Sequence, residues 1–269
     1  MLDDVVADYA QFLFRGGSPW GDSAELINAL VDQNPRLKRA LRKSWALTWR
    51  WRHLTPTSNH TPTPLAVFQA MVTVALHWNW PRFAAMLLLM FSGLLRVGES
   101  LGTLVEDLSF ARPPAAVPHT LLYVRLRTPK TRMTWARRQH ARIDEQLCVH
   151  FLQLLVAALP SRQRLWTLGY NEFVKRHRII LRVLGIPVEG PMAITPASHR
   201  AGGATFYYQL YEDIPWLAWR GRWATTKSLE HYIQEIAAIN LWAHVDAMAI
   251  ARIERLAKAS EDALRCYFS

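Results

Sequence analysis

Residues 195–205 read TPASHRAGGAT, and FYYQLYE follows at 206–212. A histidine beside an arginine, then two glycines opening a helix-like run, is an unusual packet for a plain core segment. The pattern predicts a helix over 198–211. Downstream lie a short helix at 214–220, the stretch WRGRWATTKSLEHYIQE (219–235), and a long helical pattern from about 227 to the C-terminus. Upstream, helical periodicity covers 145–159 and about 171–184. The β-forming run TLLYVRLR (120–127), the turn TPKT and the run MTWARRQHARI (133–143) predict a hairpin. Helices are expected at 65–78 and 82–95. The Pro- and Thr-rich stretch LTPTSNHTPTP (54–64) lacks periodicity and reads as a linker. Ahead of it, helices are expected at 2–15 and at 23–32, the second capped by Ser23. The expected fold is mainly α with a small β-hairpin or sheet. Its parts are an N-terminal helical domain (1–53), the linker (54–64) and a larger domain (65–269).

The chain has 269 residues, enough for one large domain or two modest ones. Its net charge of +11 comes from 26 Arg and 6 Lys against 21 acids. So basic a chain points to a polyanion, usually nucleic acid. The Arg excess suits bidentate grip on phosphate. The bases concentrate early: Arg36, Lys38, Arg39, Arg42, Lys43, Arg50 and Arg52 stand among Trp45, Trp49 and Trp51, with no Asp or Glu from Gln33 through Gly98. A solvated face mixes its signs; this stretch reads as a DNA-contacting surface. The other reading is a basic helix with core-facing tryptophans. Cys148 and Cys266 have no partner spacing, so neither a zinc site nor a disulfide framework is expected, and an intracellular setting is the default. The start carries no signal-peptide pattern. The longest apolar run, 83–95, is 13 residues, too short to span a bilayer.

Four packets carry the chemistry: SGLLRVGESLGTL (92–104), RTPKTR (127–132), ASHRAGGAT (197–205) and WRGRWATTKSLEHYIQE (219–235). Together they resemble the tyrosine recombinase, or phage integrase, family over about residues 60–240. The first fits that family's T-G-L-R-x-x-E-L-x-x-L motif. The family's second motif runs H-x-x-R, then 23 residues to a His or Trp, then nine to a nucleophilic Tyr. Here Arg200 to Trp223 is 23 and Trp223 to Tyr232 is nine. The wording GRW and EHYIQE is most similar to recombinases of eukaryotic mobile elements. The N-terminal piece resembles the tail of the family's core-binding domain.

The resemblance implies site-specific recombination or integration of double-stranded DNA through a 3′-phosphotyrosyl intermediate. Tyr232 would be the nucleophile. Arg96 and Arg200 would hold the non-bridging phosphate oxygens. Lys130 at the hairpin tip would protonate the leaving 5′ oxygen. Trp223 would donate its indole N–H, which can clamp but not shuttle protons. Glu99 would brace the site. No cofactor or metal is implied. A homotetramer on synapsed DNA is implied, with no membrane and a DNA-associated location, nuclear in a eukaryotic host and cytoplasmic otherwise. The segment after Tyr232 would dock on a neighbouring protomer or pack in cis. Each residue also has a plainer reading: Arg96 as a helix cap, Lys130 as a solvated turn charge, Trp223 and Tyr232 as packing.

The match departs at one point above all. The family's His falls at Ala197, and His199 adjoins Arg200 instead, about 100° away around a helix. His199 therefore does not simply substitute for it. Ala201 stands where the family often has a second His, and Gly221 lies eleven residues from Tyr232, one more than is common. Two alternatives follow: a catalytically impaired, DNA-binding relic of a mobile element, and a type IB topoisomerase-like nicking-closing enzyme.

Overall fold

The computed structural model describes residues 1–55, 61–112, 119–127, 139–230 and 232–268. The chain divides into two units, Met1–Ser58 and Asn59–Ser269.

The first unit holds α1 (Leu2–Arg15), α2 (Trp20–Gln33), a 3₁₀ turn (Pro35–Arg39) and α3 (Arg42–Leu54). Its core is small: Val6, Ile27 and Leu41 are buried, with Leu26, Leu30, Leu37 and Trp45 packed against them. α2 starts earlier than expected, at Trp20 after an extended Pro19. Ser23 is therefore not a cap. It lies buried inside the helix, its hydroxyl 2.8 Å from that of Thr48. α3 has an apolar residue, Leu41, at its N-cap. Asp3 of α1 supplies the missing acceptor, taking the amides of Lys43 and Ser44 at 2.9 Å each. Asp4 accepts from the Lys43 ammonium at 2.8 Å.

Desolvation pushes the Asp3 carboxyl up, but hydrogen bonds from Ser44 and Lys43 outweigh it and hold the group below its usual value. The hydrogen bond from Lys43 pulls Asp4 down to about 2. Both carboxyls titrate lower when folded. Their stabilisation is thus present above about pH 3.8 and lost as pH falls through the lowered folded values, about 2 for Asp4. Asp3→Ala is expected to cost this unit about 1 kcal/mol. Urea unfolding of the full chain at pH 7 and pH 3 checks both statements; the variant's deficit should shrink at the lower pH.

In the second unit, α4 (Leu65–His77) and α5 (Pro81–Phe91) are buried almost all round, which makes them central helices. α4 packs against α5 and four later helices. The helix expected at 82–95 stops at Phe91. A Cβ on Gly93 would lie 2.7 Å from the Leu89 carbonyl oxygen, and Leu94 takes φ +51°. The turn detaches Arg96 from the apolar helix and makes it the N-cap of α6 (Val97–Leu101).

A 3₁₀ turn (Val105–Asp107) leads into β1 (Leu108–Ala111), followed by β2 (Leu121–Leu126) and β3 (Gln139–Ile143). The three form an antiparallel sheet in that order, with Leu108 opposite Val124 and Val124 opposite Ala141. Leu122, Val124, Leu126, Ala141 and Ile143 bury one face. β1 is an addition to the expected hairpin. The hairpin's tip, with Lys130 and the start of the run 133–143, lies outside the described residues.

Five helices fill the next part: α7 (Gln146–Ala157), α8 (Tyr170–Leu184), α9 (Ser198–Tyr211), α10 (Ile214–Gly221) and α11 (Thr226–Glu230). The single long C-terminal pattern resolves into α12 (Glu235–Trp242), α13 (Ala247–Lys258) and α14 (Ser260–Cys266) after α11. A cap explains one break: Asp246 accepts from the Ala249 amide at 2.9 Å, starting a new helix. α13 and α14 pack on α4 of the same chain. Among the described residues no helix is long and apolar enough to cross a membrane.

Candidate active site

The two glycines of the opening packet have a steric cause. A Cβ on Gly202 would lie 2.1 Å from the Thr63 carbonyl oxygen, and one on Gly203 would lie 2.2 Å from that of Phe91. α9 therefore presses directly on the backbone of residues 61–64 and on the end of α5. The Thr63 amide also donates to the Ser198 carbonyl at 3.1 Å. This contact buries Arg200 to 2% exposure beside the turn that carries Arg96.

Arg200 donates from Nη2 to the Gly221 carbonyl at 2.7 Å, fastening α9 to the end of α10. Its Cζ lies 4.7 Å from the Trp223 ring centroid and 5.3 Å from that of Tyr232. The two rings are 5.0 Å apart, tilted 57°. Gly221 is obligatory beneath this stack, since a Cβ there would overlap the Trp223 indole at 1.6 Å. Tyr232 is fixed through its backbone: its amide donates to Leu229 at 2.7 Å, and its carbonyl accepts from the Thr205 hydroxyl at 3.0 Å. The same helix thus carries Arg200 and, one and a half turns on, the anchor for Tyr232. The 23- and nine-residue spacings bring Arg200, Trp223 and Tyr232 into one cluster.

Arg96 and Glu99 join them. Glu99 accepts from the Arg96 amide and from its Nη1, both at 2.8 Å. A third guanidinium, Arg222, donates from Nη2 to Glu99 at 3.0 Å and to the Leu94 carbonyl at 3.2 Å. Burial pushes the Glu99 carboxyl up. The charge of Arg222, the Arg96 amide and the charges of Arg200 and Arg96 overcome this, leaving it below its usual value. Three guanidiniums therefore face one carboxylate. Arg200 Nε and Nη1, Arg222 Nε and Nη1, and Trp223 Nε1 are buried without a hydrogen-bond partner. Unsatisfied donors in a cationic cluster cost several kcal/mol as a set and are what an entering oxyanion would satisfy.

Arg222 was not among the residues singled out from the sequence. Its signal was the one-residue surplus between Gly221 and Tyr232. Counted from Tyr232, Arg222 stands where the resembled motif has its glycine, and its backbone is left-handed, φ +60°. Holding a long side chain there costs roughly 1 kcal/mol or more relative to glycine.

The structure places His199 elsewhere. It is fully buried, pointing about 100° around α9 from Arg200, its Nε2 2.8 Å from Nε2 of His177 in α8. Desolvation drives His177 down to about 3 and His199 well below its usual value, so both are neutral and one donates to the other. Ala197 begins α9 and brings no side-chain donor to the site. Lys130 lies outside the described residues. Its neighbour Arg127 is committed to Asp107 at 2.7 Å, and Arg125 to the same carboxylate at 2.8 Å. In the first unit Arg36, Lys38, Arg39, Arg42, Lys43, Arg50 and Arg52 are all exposed. Trp51 is core and Trp49 is half exposed, with the Arg52 guanidinium 5.1 Å from its ring.

No family model and no curated protein matches the sequence. Solved structures do match. XerH site-specific recombinase, bound to its difH substrate in a pre-cleavage complex, aligns with a TM-score of 0.55 at 11% identity over 89% of this chain and 69% of that one. The chain has the tyrosine recombinase fold. A post-cleavage complex of XerH with palindromic difH gives 0.49 at 12% identity over 78% and 67% of the two chains. XerA recombinase gives 0.46 at 15% over 90% and 89%. The expected fold class, mainly α with a small antiparallel sheet, holds.

Proposed function

We propose that the chain is a DNA strand-exchange enzyme that cleaves and rejoins duplex DNA through Tyr232. The observation that carries this is the buried Arg200, stacked against Tyr232 and Trp223 with two of its nitrogens unpartnered. In this reading the Tyr232 hydroxyl attacks the scissile phosphorus, losing its proton to solvent. A 3′-phosphotyrosyl ester forms as the bond to the 5′ oxygen breaks. Arg96, Arg200 and the Trp223 indole N–H bind the non-bridging oxygens where charge accumulates. Lys130 supplies the proton to the departing 5′ oxygen. A second DNA end then displaces the tyrosine, which regenerates the enzyme. The unit of recombination is a tetramer on synapsed sites.

The decisive test is a duplex nicked beside the cleavage site, which traps the covalent protein–DNA adduct. Adduct with exchange between two sites is the expected result. Adduct without exchange would favour a nicking-closing enzyme. Salt-sensitive binding with no adduct on any DNA would favour a DNA-binding protein that has lost its chemistry.

The exposed bases of the first unit act as the clamp. Replacing Arg36, Lys38 and Arg39 together by Ala should weaken DNA binding regardless of sequence. The slope of log K against log salt should flatten by about 0.9 for each phosphate that the variant no longer neutralises. Fluorescence anisotropy across a salt series measures this. An unchanged slope would remove these three residues from the interface.

A further inference from the structure

We propose that Arg222 is a positioning residue of this site: by gripping Glu99 it keeps that side chain in place to aim Arg96 at the scissile phosphate. The inference rests on the DNA-cleaving reading above and adds to it a residue outside the resembled motif. Three observations carry it. Glu99 touches both Arg96 and Arg222, with Oε2 shared between the Arg96 amide and Arg222 Nη2 and Oε1 given to Arg96 Nη1. Arg222 reaches it from a left-handed residue directly after α10, where glycine would sit without strain. A strained position that holds a buried charged side chain is over-determined, and here the side chain is what determines it. Finally, Arg222 Nη2 also holds the Leu94 carbonyl, in the turn that releases Arg96 from α5. One guanidinium therefore ties the turn, the carboxylate and the residue before Trp223 together.

The groups facing Glu99 are Arg96 at the start of its own helix, Arg200 from α9 and Arg222 from the turn after α10. Arg222 is the strongest of the charges keeping the buried carboxyl ionised. Without it, burial raises the carboxyl's pKa. A protonated Glu99 has one acceptor fewer for the two Arg96 donors, so Arg96 loses its aim as pH falls.

The test uses the full chain with Arg222→Gly, a substitution the backbone favours, and Arg222→Asn, which also tolerates this conformation. Thermal unfolding should show both folded. Carbon-detected NMR titration of Glu99 should move its midpoint up by about one pH unit or more in both variants. In the nicked-duplex assay at saturating DNA, wild type should be flat between pH 6 and pH 8. The variants should recover toward pH 8 and fall more than tenfold once pH drops a full unit below their raised Glu99 midpoint. Adding Glu99→Gln to Arg222→Gly should abolish that pH dependence. An unmoved Glu99 midpoint overturns the proposal whether or not wild type cleaves DNA. A moved midpoint with wild-type cleavage at every pH overturns it as well. Absence of adduct from wild type counts against the cleaving reading instead, and the Glu99 titration still decides whether Arg222 holds Glu99.

Discussion

Tyr232→Phe should abolish the covalent adduct on nicked duplex DNA while leaving folding and DNA affinity intact. The phenyl ring keeps everything the tyrosine ring does for the structure. It packs 5.0 Å from the Trp223 ring and 5.3 Å from the Arg200 Cζ. The anchors of residue 232, to Leu229 and Thr205, are made by its backbone and survive. Only the hydroxyl goes, so stability should move by no more than about 0.5 kcal/mol. The chemical loss is of another order. A general acid–base group contributes about 10²–10⁴ in rate, but the nucleophile is the atom that becomes bonded to phosphorus, and no partial version of that role exists. Denaturing electrophoresis of end-labelled DNA reads the result. An adduct in the Phe variant would mean that another side chain attacks, and the site would need reassignment.

Spacing and periodicity told different amounts about this chain. Arg200, Trp223 and Tyr232 were legible as a set because two distances along the sequence had to agree at once, and the structure places the three together through α9 and the turn after α10. Periodicity was weaker. It merged α11 through α14 into one helix, because apolar spacing persists across the Asp246 cap. It extended α5 through Gly93 and Leu94, because a positive φ at a leucine leaves no mark in composition. The four-residue β1 was too short to register. The displacement of His199 into a pair with His177 follows from adjacent helical positions pointing apart, but its partner, 22 residues upstream, was not legible. Arg222 was not legible because it stands at a position where the chain departs from the resembled motif. The double glycine at 202–203 was visible, and only the packing explains it.

Arg200→Met should leave the protein at least as stable as wild type while slowing cleavage by about 10²–10³ or more. The two halves of this expectation share one cause. Desolvation, with the charges of Arg96 and Arg222, pushes Arg200 down to about 9, well below an ordinary guanidinium. A cation whose pKa is lower folded than unfolded destabilises the fold at every pH below its folded value. The deficit is recovered only as pH rises above about 9. At neutral pH the native state therefore carries the full cost. Methionine keeps the length and apolar stem, removes the charge, and leaves the Gly221 carbonyl without its donor, at about 1–3 kcal/mol. Replacing buried ionic groups by apolar side chains is often neutral or stabilising by about 1–4 kcal/mol. Among the described residues Arg200 makes no ion pair of its own whose carboxylate would be stranded, Glu99 keeping Arg96 and Arg222. The second figure covers the first, so denaturant midpoints should hold or rise. The stored repulsion is useful only if an anion relieves it. Inorganic phosphate should therefore raise the melting temperature of wild type by linkage and act less on the variant. A loss of more than about 3 kcal/mol in Arg200→Met, on the scale of a broken buried ion pair, would make Arg200 a strut between α9 and α10. A loss in activity without a loss in stability makes it a group held at a cost for the phosphate it awaits.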